Sequence, residues 1–303
     1  MGPRIPNVYH FVFGLAPQRE PLHLMHYLCL ASCLAVNRPD AIHFHYQHEP
    51  FGPWWERIRP QLELRRLAPD AFVSGYAYID PSVARFRYAH LADFARLQIL
   101  LAEGGIYADM DTLFLRPPPS DWFDSPFILG HEAPPANAEG GSLCNAWIAS
   151  APGAEFARAW LAASYDAFDG SWSNHSTLLP YRLSRELPDH IAIQPKTAFY
   201  ALDWTRRGLA SLFLDMVVLP ADAVSLHLWS HLWFDPARVD FLHFHKGALT
   251  PDYIAFADTT YARAARRFLP ADCPVDAGRY RRQRAGLALR YPLRALATRL
   301  GLR

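Results

Sequence analysis

Asp109 and Asp111 stand one residue apart in the run YADMDT. Two carboxylates so close repel unless a cation sits between them, and hard oxygen ligands suit Mn2+ or Mg2+. A divalent ion in a loop at a strand end is a natural seat for a diphosphate. Upstream, Asp93 and Arg96 are three apart in ADFARL, which puts them on one face of a helix. Read alone, they are either a buried intrahelical ion pair or a pair used by a ligand. With 20 aspartates in 303 residues, chance supplies about one D-x-D. Only its surroundings give the motif meaning.

Those surroundings are specific. Between Leu91 and Ala102, nine of twelve residues are apolar, the exceptions being Asp93, Arg96 and Gln98. A helix apolar on nearly every side is a buried one. Glu103-Gly104-Gly105 ends it, glycine being the residue that accepts a cap of positive φ. Ile106-Tyr107-Ala108 then restarts the chain as a strand. Continued alternation would put Asp109 and Asp111 on one side and Met110 on the other. Nearer the start, Ile5 to Phe13 reads as a buried strand, Pro21 to Val36 as a helix, and Ala41 to Tyr46 as a second strand. This β-α-β opening favours an α/β domain with a largely parallel sheet. We expect one domain over residues 1–270, followed by a basic tail over 271–303.

Composition excludes several classes. Hydrophobic residues at 51% and charged residues at 19% belong to a globular chain, not a disordered, coiled-coil or collagen-like one. A net charge of +1 argues against a surface built for nucleic acid. Charge is uneven, however: Gly278 to Arg303 holds eight arginines and no acid, leaving 22 basic against 29 acidic groups elsewhere. Leu293, Leu296 and Leu300 recur there at helical spacing, with Arg294 and Arg299 off that stripe. Such a tail reads as an anchor on an anionic membrane surface, or as a solvated or packed terminal helix. Four scattered cysteines make no disulfide scaffold and suit a reducing compartment. No secretory signal opens the chain, and Leu22 to Val36 is too short to span a bilayer. A cytoplasmic location is expected, peripheral at the inner face of the membrane if the tail binds.

The run ADFARLQILLAEGGIYADMDTLFL resembles the DXD segment of glycosyltransferase family 32. That group includes yeast and bacterial mannosyl-, galactosyl- and glucosyltransferases, and the clostridial glucosylating toxins share the segment. IPNVYHFVFG is similar to the family's opening strand, with Phe13 where tryptophan is usual. LCNAWIASAPGAEF resembles its middle motif, centred on Asn145, and HLWSHLWF its closing one. The resemblance implies a GT-A fold, Rossmann-like with a mostly parallel central sheet flanked by helices, and sugar transfer with retention. It implies Asp109 and Asp111 as the metal pair, Asp111 the more direct ligand and Asp109 also reaching the ribose. His227 would be a third ligand or a diphosphate contact. Asp93 and Arg96 would touch the donor sugar and its phosphate, and Asn145 would face the sugar or the acceptor. Val12 and Phe13 would hold the base, and Gly105 and Tyr107 would line the donor pocket. Trp229, Ser230 and Trp233 would belong to a loop that closes over the diphosphate.

Other signals compete. His43, His45 and His48 could suggest zinc, but such a site needs three or four ligands, and a strand running into a loop accounts for them. His243, His245 and Lys246 alternate on a strand, either structural or facing an acceptor. His227 and His231 could share a metal on a helix. Trp54, Trp55 and Trp172 read as core or rim, with sugar stacking as the other role. The favoured reading is a Mn2+- or Mg2+-dependent retaining transferase. It takes a nucleotide sugar, UDP-linked ahead of GDP-linked, to a glycan or lipid-linked glycan acceptor. Arginine supplies 28 of 30 basic residues, as in GC-rich genomes, which suggests bacterial capsule or lipopolysaccharide assembly. Two alternatives stand beside it: a glycoside or nucleotide-sugar hydrolase using the same carboxylates, and an inactive scaffold of the same fold.

Overall fold

The computed structural model describes residues 4–68, 70–78, 81–134, 140–235, 242 and 244–287. Its first half is the α/β unit that the patterning predicts. Strands β1 (Val8–Phe13), β2 (Ala41–Tyr46) and β3 (Glu63–Arg66) are joined by helices α1 (Leu24–Asn37) and α2 (Pro53–Ile58). Short helices α3 (Ala71–Gly75) and α4 (Pro81–Ala84) lead into the long helix α5 (Arg87–Glu103). Then follow β4 (Gly105–Ala108), β5 (Thr112–Phe114), β6 (Phe127–Glu132), β7 (Ser142–Leu143), β8 (Trp147–Ser150) and helix α6 (Glu155–Ala167). Two further strands are β9 (Ala192–Gln194) and β10 (Ser225–His227).

The main sheet runs β3-β2-β1-β4-β8-β6-β7, with β9 also on β6. Strands β3, β2, β1 and β4 are parallel, as the β-α-β opening predicts, but β8 is antiparallel to both β4 and β6. Alternation along β1 divides the interior. Tyr9 and Phe11 face the core beneath α1, whereas Val12 joins Leu97, Leu100 and Trp160 on the α5–α6 side. Each such buried side chain contributes about 1.5–3 kcal/mol. Leu249, Ile254, Tyr261 and Phe268 enter the same core as α1.

The break after α5 follows from glycine chemistry. Gly104 and Gly105 take φ of 69° and 98°, and a Cβ on Gly105 would lie 2.6 Å from the Val8 carbonyl oxygen. The turn therefore lets β4 start directly beneath α5. Residues 277–287 are helical, and Arg279 pairs with the buried carboxylate of Asp252, tying the beginning of the basic tail to the body. The leucine stripe at 293, 296 and 300 lies outside the described residues. Among the described residues, no helix is long and apolar enough to cross a membrane. Gly105→Ala should lower the free energy of unfolding by about 1–3 kcal/mol, since it combines positive φ with a backbone clash. Urea denaturation checks this, and a loss within experimental error would refute the strain argument.

Candidate donor-binding and metal site

Topology brings four distant segments to the end of β4. Because β8 runs antiparallel to β4, its leading residues lie beside the segment that follows β4; the Asp109 N–H donates to the Ala146 carbonyl at 3.0 Å. The small sheet pairs β10 with β5, setting His227 opposite Thr112. The Leu228 N–H then donates to the Asp111 carbonyl at 2.9 Å. Asp109 and Asp111 are thus held between β8 and β10. They are not on a continuing strand: the Thr112 N–H closes a turn on the Asp109 carbonyl at 3.1 Å. The expected separation is incomplete: Met110 is buried in the core, yet it borders the same cavity of about 400 Å³ as both carboxylates.

His227 completes the cluster. Its Nε2 lies 3.1 Å from Asp111 Oδ1 and 3.6 Å from Asp109 Oδ2, yet neither ring nitrogen has a partner in hydrogen-bonding geometry. One ligand atom from each residue lies within 4.8 Å of the others. Two carboxylates and an imidazole that converge at ion-pair distance in one cavity wall suit a divalent cation. Burial alone would depress the His227 imidazolium, but Asp111 and Asp109 reverse that and push it up to about 10. Burial likewise opposes ionisation of Asp111, and His227 with the Ser230 N–H outweighs it, holding the carboxyl well below its usual range. The Ser230 N–H reaches Asp111 Oδ2 at 2.7 Å.

A second cluster forms the wall. Arg96 and Asp93, both buried, pair at 3.1 Å across one turn of α5. Arg96 also donates to the Asn145 carbonyl at 2.5 Å, lies 3.5 Å from Asp109 and stacks 4.5 Å over the Tyr107 ring. The Tyr107 hydroxyl donates to Asp109 Oδ1 at 2.6 Å. Asn145 Nδ2 donates to one Asp93 oxygen and His175 Nε2 to the other, each at 2.9 Å. Burial would raise the Asp93 carboxyl, but Arg96 and His175 together hold it below the carboxylate norm. The ion pair and the ligand-facing pair weighed from sequence are one object: both residues line the cavity.

Of the residues expected from sequence, Val12, Phe13, Asp93, Arg96, Tyr107, Asp109, Asp111, Asn145, His227, Trp229 and Ser230 all border this cavity. Trp229 sits at φ 56°, a left-handed backbone rare for a bulky residue, with its ring 4.4 Å from His227. Two expectations need correcting. Gly105 does not border the cavity; it is the backbone break that aims β4. Trp233 is wholly buried against Phe213 and Phe244, with its indole N–H on the Leu228 carbonyl, so it supports the segment from below. His48 lies in the loop after β2, its N–H on the Gly14 carbonyl. His231 and Trp172 meet at the cavity rim with ring centroids 5.0 Å apart, and His227 ends β10, so the two histidines do not share one helix as expected. His243 lies outside the described residues.

Sequence reasoning missed Glu132 and His175. Burial pushes the Glu132 carboxyl up to about 8, against the pull of His227 and Lys196, and the residue borders the cavity. An acid ending the apolar run FIL-GHE was the available signal. Nothing local marks His175, whose partner Asp93 is on another helix. Asp93→Asn preserves shape but leaves Arg96 buried with half its counter-charge, and should cost about 3 kcal/mol of stability. Denaturant titration reads this directly; a loss below about 1 kcal/mol would show that Asp93 does not neutralise Arg96.

Residues 28–128 match the family model described as a glycosyltransferase sugar-binding region containing a DXD motif. A curated relative, Glucan organizing enzyme 1 of Cryptococcus neoformans var. grubii serotype A, is 37% identical over 213 residues. The alignment takes in 67% of this chain and 56% of the relative, so the chain spans little more than half of the curated relative's length. Among solved structures, the galactosyltransferase LgtC with donor and acceptor sugar analogues is 14% identical, with a TM-score of 0.46 over 91% of this chain and 99% of that one. The glycosyltransferase GlyE of Streptococcus pneumoniae TIGR4 is 12% identical, with a TM-score of 0.47 over 88% of this chain and 61% of that one. The glycine break, the turn bearing both carboxylates and the helix carrying Asp93 and Arg96 all fall within the matched residues, and this chain therefore carries a glycosyltransferase sugar-binding region of the DXD type.

Proposed function

We propose that the chain is a metal-dependent, retaining glycosyltransferase of the GT-A type. It would move a hexose from a nucleotide sugar, UDP-linked ahead of GDP-linked, to a glycan or lipid-linked glycan. One observation carries the reading: a ligand atom from each of Asp109, Asp111 and His227 converges within 4.8 Å beside the buried Asp93–Arg96–Asn145 cluster. Mn2+ or Mg2+ held by those three would stabilise negative charge on a departing diphosphate. Arg96, fixed by Asp93 and the Asn145 carbonyl, supplies a second positive group that needs no reorganisation as charge develops. Phe13, packed 4.7 Å from His26, offers a ring for the base at one end. Trp229 and Ser230 border the site where water must be excluded. Glu132 borders the same cavity and offers a carboxyl group to a sugar hydroxyl.

The relative's printed name concerns glucan, which supports a hexose polymer as the acceptor class. A bacterial surface-polysaccharide setting rests on arginine usage alone, and that relative is fungal. A cytoplasmic location with the tail on an anionic membrane belongs to the same proposal. The test is nucleotide release from a panel of UDP- and GDP-sugars with Mn2+. One donor should be turned over slowly without acceptor, and chelator or Asp111→Asn should reduce the rate at least a hundredfold, the scale of losing an electrostatic contact to a developing charge. Free sugar as the main product with acceptor present would support the hydrolase. Failure to bind either UDP or GDP with Mn2+ in calorimetry would sink the donor-site reading.

A further inference from the structure

The HFHYQH run finds its missing third member in the fold. β1 and β2 pair in parallel with His10 beside His43, and alternation puts His45 on the same sheet face. All three are buried, and one ring nitrogen of each lies within 4.8 Å of the others. This face is the one covered by α5, and the cluster shares no residue with the DXD cavity.

Ring orientations follow from their partners. His10 Nε2 lies 2.9 Å from the Gly104 carbonyl, which can only accept, so Nε2 carries the proton and Nδ1 a lone pair. That lone pair meets His45 Nε2 at 3.1 Å. Nitrogens bound to one tetrahedral zinc at about 2.05 Å lie about 3.3 Å apart, so this spacing already suits two ligands. His43 Nδ1 lies 3.0 Å from the Glu103 carboxylate. Its Nε2 lies 3.3 Å from Arg65 Nη2, which can only donate, so Nε2 presents a lone pair. Glu63 Oε2 is 3.3 Å from that same Nε2, and Arg65 bridges the two acceptors, 2.8 Å from Glu63. A cation therefore already lies where His43 and Glu63 converge. Glu103 and the Gly104 carbonyl are the outer partners that orient metal-bound imidazoles. Glu63, Arg65 and Glu103 are each about half exposed, which gives an ion a route from solvent.

We propose that His10, His43 and His45, with Glu63 as the fourth ligand once Arg65 swings outward, form a second site for a borderline transition-metal ion such as Zn2+. It differs in kind from the oxygen-rich cluster at Asp109 and Asp111 and stands whether or not the transferase reading does. The test is zinc titration of the full chain after chelator treatment, with Co2+ absorption as the reporter of tetrahedral nitrogen coordination. Asp111→Asn should keep one zinc equivalent, and adding His45→Ala should weaken it on the order of a hundredfold. His45→Ala leaves the His10–Gly104 contact in place, and circular dichroism checks that it folds. Arg65→Gln removes the competing cation and should tighten zinc binding several-fold. No zinc bound by Asp111→Asn, no change on adding His45→Ala, or unchanged or weaker binding by Arg65→Gln would each overturn the site.

Discussion

Arg96 is a permanent positive charge taken almost wholly out of water, and a lone buried ion would cost several kcal/mol. The surrounding residues are arranged to offset that cost. Asp93 supplies charge from the same helix, Asp109 from the next strand end, Tyr107 a ring face, and Asn145 a carbonyl. The contacts beyond Asp93 tie β4, the carboxylate turn and the segment leading into β8 to α5. Asp93 in turn requires Asn145 and His175, which brings β8 and the turn Asn174–Leu178 to the same point. Satisfying one guanidinium thus sets the shape of the cavity wall.

The antiparallel strands make this possible. A fully parallel sheet would carry β8 in the other direction and leave Asn145 at the far end of it. Reversal of β8 places Asn145 beside Asp109, and the separate β5–β10 pair delivers His227 from the other side. The carboxylate turn is therefore clamped by backbone hydrogen bonds before any ligand arrives. Such preorganised polar groups are what a reaction with developing charge requires.

What was legible in the sequence was what local pattern controls. Helix α5 is apolar on nearly all faces and stops at two glycines, and β2 covers the expected Ala41 to Tyr46. Asp93 and Arg96 stood out because charges inside such a helix demand an explanation. Spacing paired His227 with His231 on a helix, and only the resemblance joined it to the carboxylates, since β10 is three residues long and its partner is far away in sequence. Tryptophan content could not tell Trp229 from Trp233; the left-handed backbone at 229 turns one toward the cavity and leaves the other in the core. The three histidines could not be assembled for a similar reason. Alternation places His43 and His45 on one face, but only the β1–β2 register adds His10.

The clamp on the carboxylate turn also sets an order of events during synthesis. Residues 28–128 hold the family's sugar-binding region, yet His227 and the Ser230 N–H, both on Asp111, come from about a hundred residues later. As the chain leaves the ribosome, β1 to β4 and α5 can pair while Asp109 and Asp111 still lack their third partner. The three-residue cluster is therefore completed late, when β10 docks on β5. A nascent or truncated chain ending before residue 227 would carry the motif intact but lack the imidazole and the amide that meet Asp111 here.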